Sequence, residues 1–209
     1  AQIITTEHFT LQTARGATIS DANGRSSLFI STVSSALVAL GFIGQIAEIG
    51  PLFYAFVFVI FPTLFFLGLV TFARVLQSGI EDMVYARGIN RIRHLYTELA
   101  PAIKPYLILS THDDNAGTMV NMAATPGYWQ LFLTTAGMIG VVNSVLLGVI
   151  VALVVFLFAN ALIVAVGVGL VVFVASVALH TRYQTAQYGE STANIHVMFP
   201  STGAMNEER

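Results

Sequence analysis

The chain has 209 residues, 56% of them hydrophobic and only 10% charged, with a formal net charge of −2. A soluble domain carries about 25% charged residues, so a chain this poor in charge belongs to the membrane class, and its weak net charge gives no sign of a nucleic-acid partner. The absence of cysteine excludes disulfides, thiolate metal sites and cysteine nucleophiles.

The first segment, residues 1–26, is polar. It lacks the basic and then apolar order of a secretory signal. With no proline before Pro51, it reads as a helical arm that runs from Thr6 into the first span. Gly16 and Gly24 each weaken that arm by about 1 kcal/mol relative to alanine.

The spans follow from the gaps between charges. No Asp, Glu, Lys or Arg falls between Arg25 and Glu48, between Glu48 and Arg74, or between Asp114 and Arg182. A helix crosses the bilayer core with about 20 apolar residues. The first two gaps hold one helix each (27–46 and 52–76) and the third holds two (128–157 and 161–180). The expected architecture is an all-α membrane protein with four transmembrane helices in two hairpins, 27–77 and 128–180. An N-terminal helical arm precedes them, and a cytoplasmic amphipathic helix lies between spans two and three. The hairpin turns fall at 47–51, with Gly50 and Pro51, and at 158–160, with Asn160. Neither turn carries a Lys or Arg. The positive-inside rule therefore places the arm, the central segment 78–127 and the tail 181–209 in the cytoplasm, with the spans in the cell membrane.

Within the spans, small residues recur at every fourth place: Ala136, Gly140, Ser144, Gly148 and Ala152; Ala161, Ala165 and Gly169; Ser27, Ser31, Ser35 and Ala39. Helices in lipid associate through close backbone approach. Gly140, Ser144, Gly148, Ala165 and Gly169 are therefore expected packing positions, inside a hairpin or between subunits of a homo-oligomer. Ser31, Ser35, Asn143 and Glu48 are the candidate pore-lining residues, because rings of polar side chains form conducting paths. The plainer alternatives are a hydroxyl bonded to its own helix and a carboxylate solvated beside a turn. Span two is rich in phenylalanine, which points to lipid contact, and Pro62 predicts a kink there.

The central segment reads "YARGINRIRHLYTEL" over 85–99. Tyr85, Ile89, Ile92, Tyr96, Leu99 and Ile103 share one helical face, while Arg87, Arg91, His94 and Glu98 form a second row that can pair along the helix. Ser78–Gly79 reads as a joint with span two, and Pro101 ends the helix. His94, Glu98, His112, Asp113 and Asp114 are residue types that could serve as a base or as metal ligands. However, the His94–Glu98 spacing lacks the second histidine of the zinc pattern, and Asp113 or Asp114 serves more simply as the N-cap of a turn at Asn115. No nucleophile elbow, phosphate loop or nucleotide fingerprint is present, so no enzymatic activity, cofactor or metal is expected. Arg87, Arg91, Arg93 and Glu98 are read instead as contacts to membrane-lipid phosphates or to acids of neighbouring subunits. The tail is rich in Ser, Thr and Asn and reads as extended or partly disordered.

The stretch "EDMVYARGINRIRHLYTELAP" followed by "LTTAGMIGVVNSVLLG" resembles a group of small, uncharacterised four-span membrane proteins of bacteria, over most of the chain. That resemblance implies no activity. A looser likeness links the chain to membrane effector proteins of bacterial conflict systems, which are proposed to form pores. The expected function is a homo-oligomeric pore or ion channel lined by spans one and three. The alternative is a non-conducting scaffold or accessory subunit that docks a protein partner through its cytoplasmic helix. With no ionisable residue inside a span, a coupled transporter is disfavoured.

Overall fold

The computed structural model describes residues 2–46, 49–124, 127–193 and 195–201. It is 87% helix, with no strand among the described residues. In chain order the helices are α1 (Gln2–Ile46), α2 (Pro51–Leu99), a 3-10 helix (Pro101–Tyr106), α3 (Asn115–Asn121), α4 (Tyr128–Leu133), α5 (Thr135–Ala159) and α6 (Leu162–Ala193). Four of them, α1, α2, α5 and α6, are long and apolar enough to cross a membrane. The chain is a membrane protein of the expected all-α class.

Local chemistry explains where the helices start and stop. Pro51 opens α2, at a position where its missing N–H breaks no helical bond. Asn160 closes α5 in the left-handed region, with φ 48° and its N–H on the Phe156 carbonyl. Asparagine tolerates that conformation better than most residues. The expected joint at Ser78–Gly79 is absent: α2 runs unbroken through both, and through Pro62, to Leu99. Two further expectations are corrected. The helix of 128–157 is interrupted at Thr134, which caps α5 by accepting from the Gly137 N–H at 3.0 Å. The tail is not extended from residue 181, because α6 continues to Ala193.

The chain forms two compact units: Ala1–Asp21, Gln77–Gln130 and Ala186–Arg209 make a polar unit, and Ala22–Leu76 with Leu131–Thr185 make a span unit. The span unit is held at helical spacing. α1 buries Ala22, Ser26, Phe29 and Val33, and α2 buries Val57, Phe61, Leu64, Phe72 and Val75. Between α5 and α6 the backbones nearly touch. A Cβ on Gly148 would lie 2.9 Å from the Gly169 carbonyl oxygen, and one on Gly169 would lie 2.8 Å from both the Gly148 oxygen and the Ala152 Cβ.

Candidate functional site

In the polar unit, the α2 stretch 82–90 buries a face that matches the apolar row expected from periodicity only at Ile89. Asp82, Ala86, Arg87, Ile89 and Asn90 are buried, whereas Leu99 of the expected apolar row is 67% exposed. The reason is that this face meets polar backbone. Asn90 donates to the His112 carbonyl at 2.7 Å and accepts from Asn121 Nδ2. Arg91 Nε donates to Asp113 Oδ2 at 2.7 Å, and its Nη2 donates to the His196 carbonyl. Arg87 Nη2 reaches Asn115 Oδ1. A polar helix face of this kind is stable inside a protein only when each group finds a partner.

The two adjacent aspartates supply the centre of this arrangement. Asp113 is fully buried and accepts from the backbone N–H groups of Met198 (3.0 Å to Oδ2) and Phe199 (2.7 Å to Oδ1) as well as from Arg91. The Asp113 N–H in turn donates to the Phe199 carbonyl at 3.2 Å. Asp114 caps α3 by accepting from the Gly117 N–H at 2.7 Å. Its other oxygen takes the Ser201 N–H and hydroxyl, each at 2.6 Å. His94 lies flat on the Phe199 ring, with centroids 3.8 Å apart. The segment 195–201 is thus tied down by residues some 85 positions earlier. Burial alone would raise both carboxyls, yet both lie below the ordinary carboxylate range. For Asp113 the Met198 and Phe199 N–H groups and Arg91 overcome burial; for Asp114 the Ser201 and Gly117 donors do so. All four carboxylate oxygens accept hydrogen bonds, and through them the two aspartates clasp the tail. Among the described residues no three His, Asp or Glu side chains gather as a metal site.

The arginines separate by their partners. The acid that meets Arg91 is Asp113 of the same chain, so this pair needs no neighbouring subunit or lipid phosphate. Arg87 is buried near Asp113 and Asp114. Arg93 has neither acid nor amide: its Nε and Nη1 are buried without a hydrogen-bond partner. It lines a cavity of about 450 Å³ together with Gln12, Arg15, Asn90 and Asn121. Glu98 is exposed and lies 3.7 Å from His94; the expected pairing along the helix row survives only here. Arg15 on α1 binds Asp82 at 2.7 Å.

In the span unit, the pore candidates do not come together. Ser31 and Ser35 lie on the exposed side of α1, each two positions from buried Val33 and so roughly opposite it on the helix. Asn143 is fully buried, with neither amide atom hydrogen-bonded. It packs on Gly68, where a Cβ would overlap Asn143 Oδ1 and lie 3.0 Å from Phe29 Cζ. Glu48 lies outside the described residues. The packing candidates Gly140, Ser144, Gly148, Ala165 and Gly169 are all buried inside the chain.

Sequence reasoning passed over one group in the span unit. His180 Nδ1 lies 2.8 Å from the Ser176 carbonyl and close to the Ser144 and Ser176 hydroxyls, themselves 2.9 Å apart. Gln184, also buried, donates to Thr134 Oγ1 at 2.9 Å. His180 closes the expected span four and was hidden by its place at that edge; the fourfold spacing Ser176–His180 on α6 with Ser144 on α5 was the available signal. No known family model, curated protein or solved structure matches the chain.

Proposed function

We propose that the chain is a non-conducting integral membrane protein, a scaffold or accessory subunit that engages its partners through the polar unit. The observation that supports this most is the dispersal of the span hydroxyls and amides. Asn143 is fully buried against Gly68, while Ser31 and Ser35 look outward, so the candidates of spans one and three share no polar surface within the chain of the kind that lines a pore. The polar unit, by contrast, spends its charged groups on holding a defined surface together. The cation distribution favours a cytoplasmic polar unit and cytoplasmic termini in the cell membrane.

A second reading is a homo-oligomeric channel whose axis is lined by the exposed Ser27, Ser31 and Ser35 row of α1, which no described part of the same chain covers. One experiment separates the two. The purified protein is reconstituted into planar bilayers beside a Ser31→Leu, Ser35→Leu double variant, with complex size measured in mild detergent. Silent bilayers in both are expected. Conductance in the wild type that disappears in the double variant overturns the scaffold reading and establishes the channel.

A further inference from the structure

We infer that the polar unit holds an anion site centred on Arg93, suited to a phosphate group. Two helices build it from residues at helical spacing: Gln12 and Arg15 on α1, Asn90 and Arg93 on α2, with Asn121 of α3 at the side. The cavity, about 450 Å³, is in the size range of small-ligand pockets, and no carboxylate lines it.

Charge accounting decides what it takes. Arg15 is neutralised by Asp82 at 2.7 Å. Asn90 and Asn121 are bonded to each other and to the loop backbone. Two guanidinium nitrogens of Arg93, Nε and Nη1, are buried without a hydrogen-bond partner. Arg87 also has two such nitrogens, but Asp113 and Asp114 offset its charge. For Arg93 burial acts unopposed, with no acid near it, and its charge is felt by His8, whose imidazole is held below its ordinary value first by burial and then by Arg93. Burying part of a guanidinium without a counter-charge is unfavourable, and arginine does not escape by losing its proton. An anion from outside resolves the conflict. Phosphate matches best, because its several oxygens accept the parallel donors of a guanidinium fork, and the neighbouring amides can supply further donors. The phosphate belongs either to a free ion or to a lipid headgroup. The inference does not depend on whether the spans conduct, and conductance is not its readout.

The test uses the full chain in mild detergent. Thermal unfolding is followed with sodium phosphate against sodium chloride at equal ionic strength, and separately with phosphatidic acid against phosphatidylcholine in the micelles. Equilibrium dialysis with radiolabelled inorganic phosphate gives the stoichiometry. At ligand well above its Kd, the wild type is expected to melt at least about 3 °C higher. Arg93→Gln should lose that rise while melting no lower than the wild type without ligand, since it removes an uncompensated charge. Arg93→Lys should keep part of the rise. A response to phosphate with one ion bound per chain assigns the free ion; a response to phosphatidic acid alone assigns the headgroup. No response to either in the wild type, or an equal response in Arg93→Gln, overturns the site. Should Arg93→Gln fail to fold, the dialysis still decides, because absence of saturable phosphate binding together with indifference to phosphatidic acid in the wild type rejects it.

Discussion

The span unit and the polar unit solve opposite problems. Between α5 and α6, Gly148 and Gly169 let the backbones come so near that neither has room for a Cβ. In the polar unit the tail is held by carboxylates on backbone N–H groups, at Asp113 and Asp114. Lipid leaves little to be gained by hiding apolar surface, so helices there rely on shape, and small residues supply it. A unit that buries charged groups must instead give each one a partner or bear a large desolvation cost. The difference teaches where each unit is vulnerable: the first to added volume, the second to a lost partner.

The largest expected effect breaks the polar side of this comparison. Asp113→Ala strips Arg91 of its carboxylate and frees the Met198 and Phe199 N–H groups, at an expected cost of about 3 kcal/mol; limited proteolysis should show 195–201 released while the spans stay protected. Next comes added volume in the span unit. Gly169→Val, with Gly148 and Ala152 already within reach of its Cβ, should cost about 1–3 kcal/mol, read as easier unfolding by sodium dodecyl sulfate; an unchanged transition would show that α5 and α6 separate freely. The pH dependence sharpens the contrast further. Asp113 and Asp114 have folded pKa values below their ordinary 3.8, so the stabilisation is complete above that value and is lost as the pH falls through the lower folded values. Amide exchange at Met198, Phe199 and Ser201 should stay slow from neutral pH down to about pH 5 and speed up, beyond the intrinsic rate, only under strongly acid conditions. Smallest is Asn143→Leu, which replaces an unsatisfied buried amide by an apolar group of similar size. Its effect on detergent unfolding should be within about 1 kcal/mol of zero, and a loss several times larger would show that the amide has partners.

Much of the span architecture was legible because it depends on one-dimensional signals. Long gaps without charge locate the four apolar helices, Asn160 marks its turn, and fourfold glycine spacing picks out the α5–α6 contact. Asp114 as the cap of α3 was legible for the same reason, since a cap acts on a residue three positions away. The polar unit was not. Periodicity assigns the buried face of a helix by assuming that apolar residues go inward, but here Arg87 and Asn90 go inward because groups of the following loop and α3 await them. Those partners lie between 22 and 31 residues away, and the tail carbonyl that meets Arg91 lies 105 away; no local pattern encodes them. A tail rich in Ser, Thr and Asn looks unstructured for the same reason: what orders it is the set of acceptors on another segment.

The reach of the aspartate clasp also sets an order of manufacture. Asp113 and Asp114 leave the ribosome before α5 and α6 exist, whereas the N–H groups that satisfy them lie in 198–201, beyond the end of α6. Until the tail emerges, the two carboxylates and the Arg91 guanidinium lack the completed set of partners they have in the finished fold. The polar unit therefore closes last, after both C-terminal spans have been made, and a ribosome that stalls before residue 198 yields a chain with all four span segments and an open clasp.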